Sequence, residues 1–173
     1  MNNDWEKKLQ EDFPFMRWKT GDGRDAYQMW GFECCGGWYQ LLRDLCEGIT
    51  ARFAQDGISP KDIDLEPIQI KEKFGTLRFY YGYKGAPRGI PAIDNLSTGE
   101  SIRMTPGGAE PDPKKKALRE DISKLVQEAE DRSAHTCEYC GAEGQYRNYR
   151  GWIYTLCDEC WKKRCKDLDD DEV

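Results

Sequence analysis

The feature that most constrains this chain is a pair of closely spaced cysteine pairs near its C-terminal end. Cys137 and Cys140 are separated by two residues, and Cys157 and Cys160 repeat that spacing sixteen residues later. A two-residue spacing lets one tight turn direct both sulfurs at a common point, and Gly141 permits the backbone to fold beneath the first pair. Four thiols spaced in this way indicate a metal site.

These four cysteines are the candidate metal ligands, and one zinc ion, Zn²⁺, is the favoured metal. Four sulfur ligands fill a tetrahedral zinc site, so no position remains open for water and a structural role is expected. The same ligand set also holds iron in rubredoxin-like sites. In an oxidising compartment the same cysteines form two disulfides. The sequence favours zinc, but it does not distinguish zinc from iron.

The segments around the cysteines predict a treble clef. Residues 145–156 have the pattern of a hairpin with its turn at residues 148–151, and residues 158–166 have the composition of a helix. The N-terminal amides of such a helix favour thiolates. A knuckle, a hairpin and a helix that carries the second pair are the parts of a treble clef. The zinc module is therefore predicted to span residues 135–165.

A connecting amphipathic helix is predicted before this module, at residues 112–134. Asp112 and Pro113 suit the cap and the first turn of a helix. After the module, residues 166–173 form an acidic tail, which we expect to be frayed. The apolar stripe of the connecting helix consists of Leu118, Ile122, Leu125, Val126 and Ala129.

Residues 1–111 are predicted to form a small α+β domain. A short helix is expected at residues 3–12. A core helix is expected from Trp38 to Phe53, where apolar residues recur at helical spacing. On this pattern Cys46 is a small buried hydrophobic residue without a reactive role.

An antiparallel hairpin is predicted at residues 68–83. Ile68 and Ile70 alternate on even positions, whereas the apolar residues after Phe74 alternate on odd positions. A turn near residues 73–76 returns both sets to one apolar face.

The segment 84–111 is rich in glycine and proline and is predicted to be a surface insertion, with a small extra hairpin around residues 95–102. The fold class that follows is α+β, in which helices pack on a small antiparallel hairpin or sheet and a four-cysteine zinc treble clef ends the fold.

Composition limits the classes of function. The net charge is −6, whereas a generic binder of polyanions is usually strongly basic. No apolar run approaches the roughly 20 residues needed to cross a bilayer, so no membrane role is expected. The polar N-terminal stretch carries no signal peptide, which predicts a cytoplasmic protein with reduced thiols.

The chain lacks the common signatures of enzymes. It has no glycine-rich phosphate loop, no zinc-protease motif with paired histidines and no nucleophile elbow. His135 is the single histidine and precedes the first cysteine pair, outside the hairpin and helix in which a nuclease of the histidine–metal type places its catalytic groups. We therefore predict no catalytic residues and a protein that is not an enzyme.

A nucleic-acid interface is the sharper alternative for the zinc module. Basic residues lie among its aromatic residues, a pattern that can grip phosphates and stack on bases. Against this, residues 134–173 carry six basic and nine acidic side chains, and several aromatics must be buried in so small a module. A solvated face over a packed core is favoured. The candidate nucleic-acid-binding residues are Arg147, Arg150, Lys162, Lys163 and Arg164.

Three stretches of this chain together resemble a family of small proteins from bacteria, prophages and phages that has no assigned activity. These stretches are "WGFECCGGWYQLLRDLCEGI", "IKEKFGTLRFYY" and "EAEDRSAHTCEYCG" followed by "RGWIYTLCDEC". They occur in the same order as in the family and cover about residues 13–83 and 115–160. The resemblance implies a phage-encoded protein that acts inside a bacterial host.

The chain departs from this family at two places. The family often reads "ECGDGW" where residues 33–38 here read "ECCGGW", so an acidic position is lost. The adjacent Cys34 and Cys35 are too close for an ordinary disulfide loop and offer only two thiols for a second metal site. Residues 84–111 look like an insertion relative to shorter members, and they are a candidate partner surface.

The function expected from these observations is that of a non-catalytic, zinc-stabilised binding protein. Its partner is expected to be a host or phage protein, with a host defence system that the phage must silence among the candidates. The alternative is an accessory protein that binds nucleic acid through the basic and aromatic face of the zinc module. The sequence does not indicate an oligomeric state.

Overall fold

The structure is a computed structural model that describes residues 4–17, 26–86, 92–94, 101–103 and 112–170. The described part of the chain is a mixed α+β fold with a small sheet and a four-cysteine cluster near its C-terminal end. In chain order its helices and strands are α1 (Asp4–Asp12), α2 (Ala26–Trp30), β1 (Phe32–Glu33), α3 (Tyr39–Gln55), β2 (Leu65–Lys73), β3 (Thr76–Tyr83), β4 (Ala92–Asp94), β5 (Ser101–Arg103), α4 (Pro113–Ser133), β6 (Gln145–Tyr149), β7 (Trp152–Leu156) and α5 (Asp158–Asp170).

The main sheet has three strands in the order β1-β2-β3. Strands β2 and β3 form the predicted antiparallel hairpin, and its turn falls at Phe74 and Gly75, which have φ values of 55° and 73°. Two residues with positive φ match the right-handed twist of the flanking strands. Strand β1 pairs with β2 in parallel, through Phe32 opposite Ile70, and this pairing was not predicted.

One detail of the predicted hairpin is wrong. Ile68 and Ile70 were expected on one face, but the register shifts between Pro67 and Gln69. Pro67 pairs with Tyr81 and Ile70 pairs with Phe79, so Pro67 takes the place on the inner face that Ile68 was expected to fill. A bulge inserts one extra residue into a strand, and it reverses the parity of the side chains that follow.

The core lies between the main sheet and helices α3 and α4. Helix α3 buries its predicted apolar stripe, and Cys46 within it is 0% exposed, as its position predicted. Helix α4 begins as predicted, with the Asp112 carboxylate accepting a hydrogen bond from the backbone N–H of Lys114. Gly48 of α3 faces Leu125 of α4 where the two helices pack together. The largest fully buried side chains include Trp38, Tyr27, Phe53, Phe79, Leu9 and Met16.

The C-terminal part of the chain has a turn, then the hairpin β6–β7, then α5, as expected from the sequence. Helix α5 continues to Asp170 and so extends into the segment that was expected to be a frayed tail. Strands β4 and β5 pair in antiparallel fashion and give the insertion the small hairpin expected there. The rest of the insertion lies outside the described residues. Within the described residues, no helix is both long enough and apolar enough to cross a membrane.

Candidate metal centre

The first cysteine pair lies on a tight turn that directly follows α4. The backbone N–H of Cys137 donates to the carbonyl of Ala142 at 2.7 Å, and the N–H of Gly141 donates to the carbonyl of Cys137 at 2.9 Å. Gly141 has a φ of 79°, a conformation that glycine adopts without a steric penalty. These bonds close the backbone into a loop that holds Cys137 and Cys140 on one side.

The second pair lies at the N-terminal end of α5. Cys157 immediately precedes the helix, and Cys160 lies in its first turn. The backbone N–H of Cys160 donates to the sulfur of Cys157 at 3.4 Å. This hydrogen bond is the main cause that lowers the pKa of the Cys157 thiol to about 7. A hydrogen bond to the charged form favours that form, so the site favours a thiolate here.

The four predicted ligands come together. Their sulfur atoms all lie within 4.8 Å of one another, and the Cys140 and Cys157 sulfurs are 3.7 Å apart. A tetrahedral zinc site with bonds of about 2.3 Å has sulfurs about 3.8 Å apart, so the donor set fits such an ion. Within the part of the chain that the structure describes, this cluster contains neither His135 nor any of the other cysteines.

The first cysteine turn is docked on the N-terminal domain through the backbone at Gly37. The N–H of Gly37 donates to the carbonyl of Glu138 at 2.9 Å. A Cβ atom at Gly37 would lie 2.4 Å from the carbonyl oxygen of Cys137, which is closer than side chains ever approach. The buried Trp38 adds a hydrogen bond from its indole Nε1 to the carbonyl of Thr136 at 2.8 Å. The metal site is therefore built against the core and is not a separate appendage.

A second contact joins the module to the turn of the main hairpin. A Cβ atom at Gly75 would lie 2.9 Å from the backbone carbon of Tyr154 and 3.1 Å from the nitrogen of Thr155. The N–H of Glu138 donates to the carbonyl of Thr155 at 3.0 Å, which ties strand β7 to the first cysteine turn. Strand β7 therefore contacts both the turn of the main hairpin and the first cysteine turn.

The structure does not present all five predicted basic residues as one cationic surface. Arg147 is partly buried, pairs with Asp158 and lies with its guanidinium carbon 5.9 Å from the centre of the Trp161 ring. Arg164 is also partly buried and lies 5.7 Å from the centre of the Tyr154 ring. These two arginines pack within the module.

The remaining three predicted basic residues lie at the surface. Lys162 and Lys163 are exposed on α5, and Arg150 is exposed at the turn of the β6–β7 hairpin. Arg150 lies 5.2 Å from the centre of the Tyr149 ring. Three exposed cations on a C-terminal segment whose net charge over residues 134–173 is negative give a weak electrostatic attraction for a polyanion.

Two aromatic side chains of the same hairpin are strongly exposed. Tyr146 is 64% exposed and Trp152 is 72% exposed. Tyr149 and Tyr154, in contrast, lie with ring centres 6.4 Å and 6.3 Å from that of Trp161, against helix α5. In the β6–β7 register Tyr146 pairs with Thr155 and Trp152 pairs with Tyr149, so the two exposed aromatic side chains lie on opposite faces of the hairpin.

A polar cluster beside the first cysteine turn was not predicted from the sequence. Glu138 is 4% exposed, and one of its carboxylate oxygens has no hydrogen-bond partner in the described structure. Burial and then the nearby Glu72 raise the pKa of Glu138 to about 7, while Arg164 opposes this shift. Burial and then Glu138 also raise the pKa of the Cys35 thiol. An acidic residue between two paired cysteines was the only local signal for this cluster.

Comparison of the chain with protein-family models, with curated proteins and with solved structures found no match.

Proposed function

We propose that the four clustered cysteines bind one zinc ion in a treble clef. The turn that carries the first pair, the hairpin β6–β7 and the helix that carries the second pair support this assignment. Four thiolates would complete the coordination of the ion, so its role would be to hold the module together and not to activate water. Cys137, Cys140, Cys157 and Cys160 would hold it.

We further propose that the chain is a non-catalytic binding protein and that the zinc module carries its binding surface. The observation that carries this proposal is the exposure of Tyr146 and Trp152, one on each face of a hairpin that the cysteine cluster and Gly75 hold in place. Tyrosine and tryptophan are enriched among the residues that dominate binding energy in protein interfaces. A rigid support lowers the entropy cost of binding through them.

A protein partner fits this surface better than a nucleic acid does. Arg147 is paired with Asp158, and Arg164 packs within the module, so two of the five candidate phosphate contacts are engaged internally. Binding to nucleic acid through aromatic stacking requires a positively charged groove along the backbone. The negative balance of residues 134–173, which include the acidic tail, disfavours such a groove.

The resemblance to phage and prophage proteins leads us to propose a protein of the bacterial host as the partner. The chain would then act in the host cytoplasm, and a host defence system is one class of target. This part of the proposal rests on the resemblance alone.

Capture from a host lysate tests the proposal. The full-length, zinc-loaded protein is compared with a Tyr146→Ala, Trp152→Ala double variant. Because both side chains are exposed, the double variant is expected to keep its fold and its zinc. Trp30→Ala is the matched control, since Trp30 is 68% exposed but lies outside the module. A partner held by the wild type and by Trp30→Ala, and lost from the double variant, is the expected result.

Two other outcomes decide against this proposal. Retention of the partner by the double variant shows that the hairpin is not the binding surface. Loss of all binding after nuclease treatment, with affinity that falls steeply between about 50 and 200 mM salt, favours the nucleic-acid alternative. In that case, replacing Lys162 and Lys163 by alanine reduces the slope of log binding constant against log salt concentration by roughly one unit for each lysine.

A further inference from the structure

A cavity unrelated to the cysteine cluster opens between α4, the end of β3 and the loop that follows α3. Its volume is about 370 Å³. Sites for small molecules commonly occupy about 300 to 1,000 Å³, so the cavity is large enough for a small organic ligand. It is lined by Gly57, Ile58, Asp62, Asp64, Tyr83, Lys115, Leu118 and Arg119.

The lining carries charges of both signs on different elements. Asp62 and Asp64 come from the loop between α3 and β2, whereas Lys115 and Arg119 come from α4. The two basic residues are four positions apart and therefore lie on one face of the helix. A ligand with a charge of only one sign would leave the opposite wall of the cavity without a partner.

Apolar side chains lie between these charges. Leu118 belongs to the buried core and is 6% exposed, and Ile58 is partly buried and packs against that core. Both side chains are anchored by the fold, so this part of the cavity is formed before any ligand arrives. A pre-formed apolar wall with a few polar groups is the usual design of a small-molecule site.

The hydroxyl group of Tyr83 indicates that a ligand of this cavity carries a polar group. The hydroxyl oxygen is buried, and the Tyr81 side chain lies close enough to hydrogen-bond with it. The Arg119 guanidinium carbon lies 4.5 Å from the centre of the Tyr83 ring and holds that ring in place. A phenolic hydroxyl can both donate and accept, so its contact with Tyr81 leaves capacity for one further hydrogen bond, which a ligand would complete.

The charges of both walls act on this hydroxyl. Burial and then Tyr81 raise the pKa of Tyr83, Arg119 lowers it and Asp64 raises it. Because the net shift is upward, the hydroxyl keeps its proton at neutral pH and acts as a donor. Asp64, Arg119 and Tyr83 all line the same cavity, so one ligand can meet all three.

We propose that this cavity binds a small zwitterion with a carboxylate and an ammonium group at opposite ends of a short apolar chain. Lys115, Arg119 and the Tyr83 hydroxyl would receive the carboxylate. Asp62 and Asp64 would receive the ammonium group, and the apolar chain would lie on Leu118 and Ile58. Both a free ω-amino acid and a peptide that ends in lysine present this chemistry. The proposal does not depend on the zinc site or on its partner.

The first test uses 6-aminohexanoate as the probe for the full-length, zinc-loaded protein. Hexanoate and hexylamine, which each lack one of the two charges, are the matched control ligands. Methyl signals of Ile58 and Leu118 in NMR spectra report occupancy. We expect the zwitterion to bind about tenfold more tightly than either control, because each control lacks one of the two charged groups that the cavity would receive. Equal affinity for hexanoate, or no shift at tens of millimolar probe, overturns the proposal.

Variants of the protein then test the contacts to the carboxylate and to the ammonium group separately. Arg119→Gln is expected to weaken 6-aminohexanoate about tenfold and to leave hexylamine unchanged, and Asp64→Asn is expected to weaken both. Tyr83→Phe removes only the hydroxyl, which tests its role without opening the core. Lys124→Gln, farther along α4, is the matched control and should leave binding unchanged. Unchanged affinity in Arg119→Gln and Asp64→Asn contradicts the assignment.

A pair of peptides distinguishes the two sources. A short peptide that ends in lysine with a free carboxylate is compared with its C-terminal amide. Tighter binding of the free acid than of 6-aminohexanoate indicates a peptide ligand. Weaker binding of the free acid than of 6-aminohexanoate indicates a free ω-amino acid.

Discussion

The hydroxyl oxygen of Ser133 accepts a hydrogen bond from the backbone N–H of Leu77 at 2.8 Å, so a helix side chain occupies the place of a neighbouring strand. Glu130 repeats this arrangement one turn earlier, since its carboxylate accepts from the N–H of Phe79 at 2.9 Å. Strand β3 is an edge of the main sheet, and unpaired edge groups invite pairing with other chains. Helix α4 covers this edge with two buried polar side chains.

Replacing Ser133 by alanine is predicted to destabilise the protein by about 1 to 3 kcal/mol, because the buried N–H of Leu77 would lose its acceptor. Urea unfolding of the zinc-loaded protein measures the change. Ser123→Ala on the exposed side of the same helix is the control, and it should cause no loss of stability. Equal stability of the two variants would show that water satisfies the Leu77 N–H.

The parts of the fold that the sequence predicted are those with a local pattern. In helices α3 and α4 apolar residues recur at intervals of three and four positions. Their buried faces could therefore be identified without knowing which elements pack against them. The β2–β3 hairpin was visible because the apolar residues change parity at its turn. The cysteine cluster was visible because two equal spacings converge on one point.

The missed features have no such local pattern. Strand β1 is two residues long, which is too short to show an alternation. The bulge at Ile68 depends on the partner strand, and the contact of Gly37 with Glu138 joins residues far apart in the sequence. Gly37 is constrained by the backbone of the cysteine turn, a contact that no local pattern around Gly37 shows.

Gly37→Ala is predicted to separate the cysteine turn from the core. Its new Cβ atom would lie 2.4 Å from the Cys137 carbonyl oxygen and 2.6 Å from the Glu138 carbonyl carbon. Both are backbone atoms that cannot rotate away, so we expect a loss of at least about 1 to 3 kcal/mol. Thermal unfolding with and without zinc measures the loss.

Gly48→Ala is the control for this substitution. At Gly48 the new Cβ would lie 3.4 Å from Leu125, an ordinary contact, within helix α3. Alanine favours the helix over glycine by about 0.5 to 1 kcal/mol, so this variant should be at least as stable as the wild type. A stable Gly37→Ala protein would show that the docking contact contributes little.

Cys35 is predicted to react slowly with alkylating agents in the zinc-loaded protein, although its side chain is exposed. Burial of the sulfur and the nearby Glu138 and Glu72 raise the pKa of this thiol. The thiolate is the reactive form, so its fraction at neutral pH is lower than that of glutathione. Glu72→Gln removes one negative charge, lowers the pKa of Cys35 and should accelerate alkylation. Peptide mass spectrometry over a range of pH measures the rate, and alkylation as fast as that of glutathione would contradict the prediction.

The metal is predicted to be zinc, bound once per chain by the clustered thiols and required for the fold of the module at about residues 135–165. Structural zinc supplies about 10 to 16 kcal/mol, which is comparable to the whole stability of an ordinary domain. Cys157→Ser would leave three thiolates and a poor fourth ligand. It should therefore release the metal and disorder the β6–β7 hairpin and α5. Native mass spectrometry measures the metal content, and the mass of the bound ion distinguishes zinc from iron.

Three cysteine variants outside the cluster complete this test. Cys46→Ser places a hydroxyl in the core and should lower stability while the protein keeps its zinc, because Cys46 is 0% exposed and lies in α3. Cys34→Ser and Cys165→Ser should also keep a full equivalent of metal, since neither sulfur belongs to the cluster. A wild-type protein without metal would favour two disulfides, which mass spectrometry detects as a loss of about four hydrogen masses. A full equivalent of zinc in Cys157→Ser would show that another residue supplies the fourth ligand.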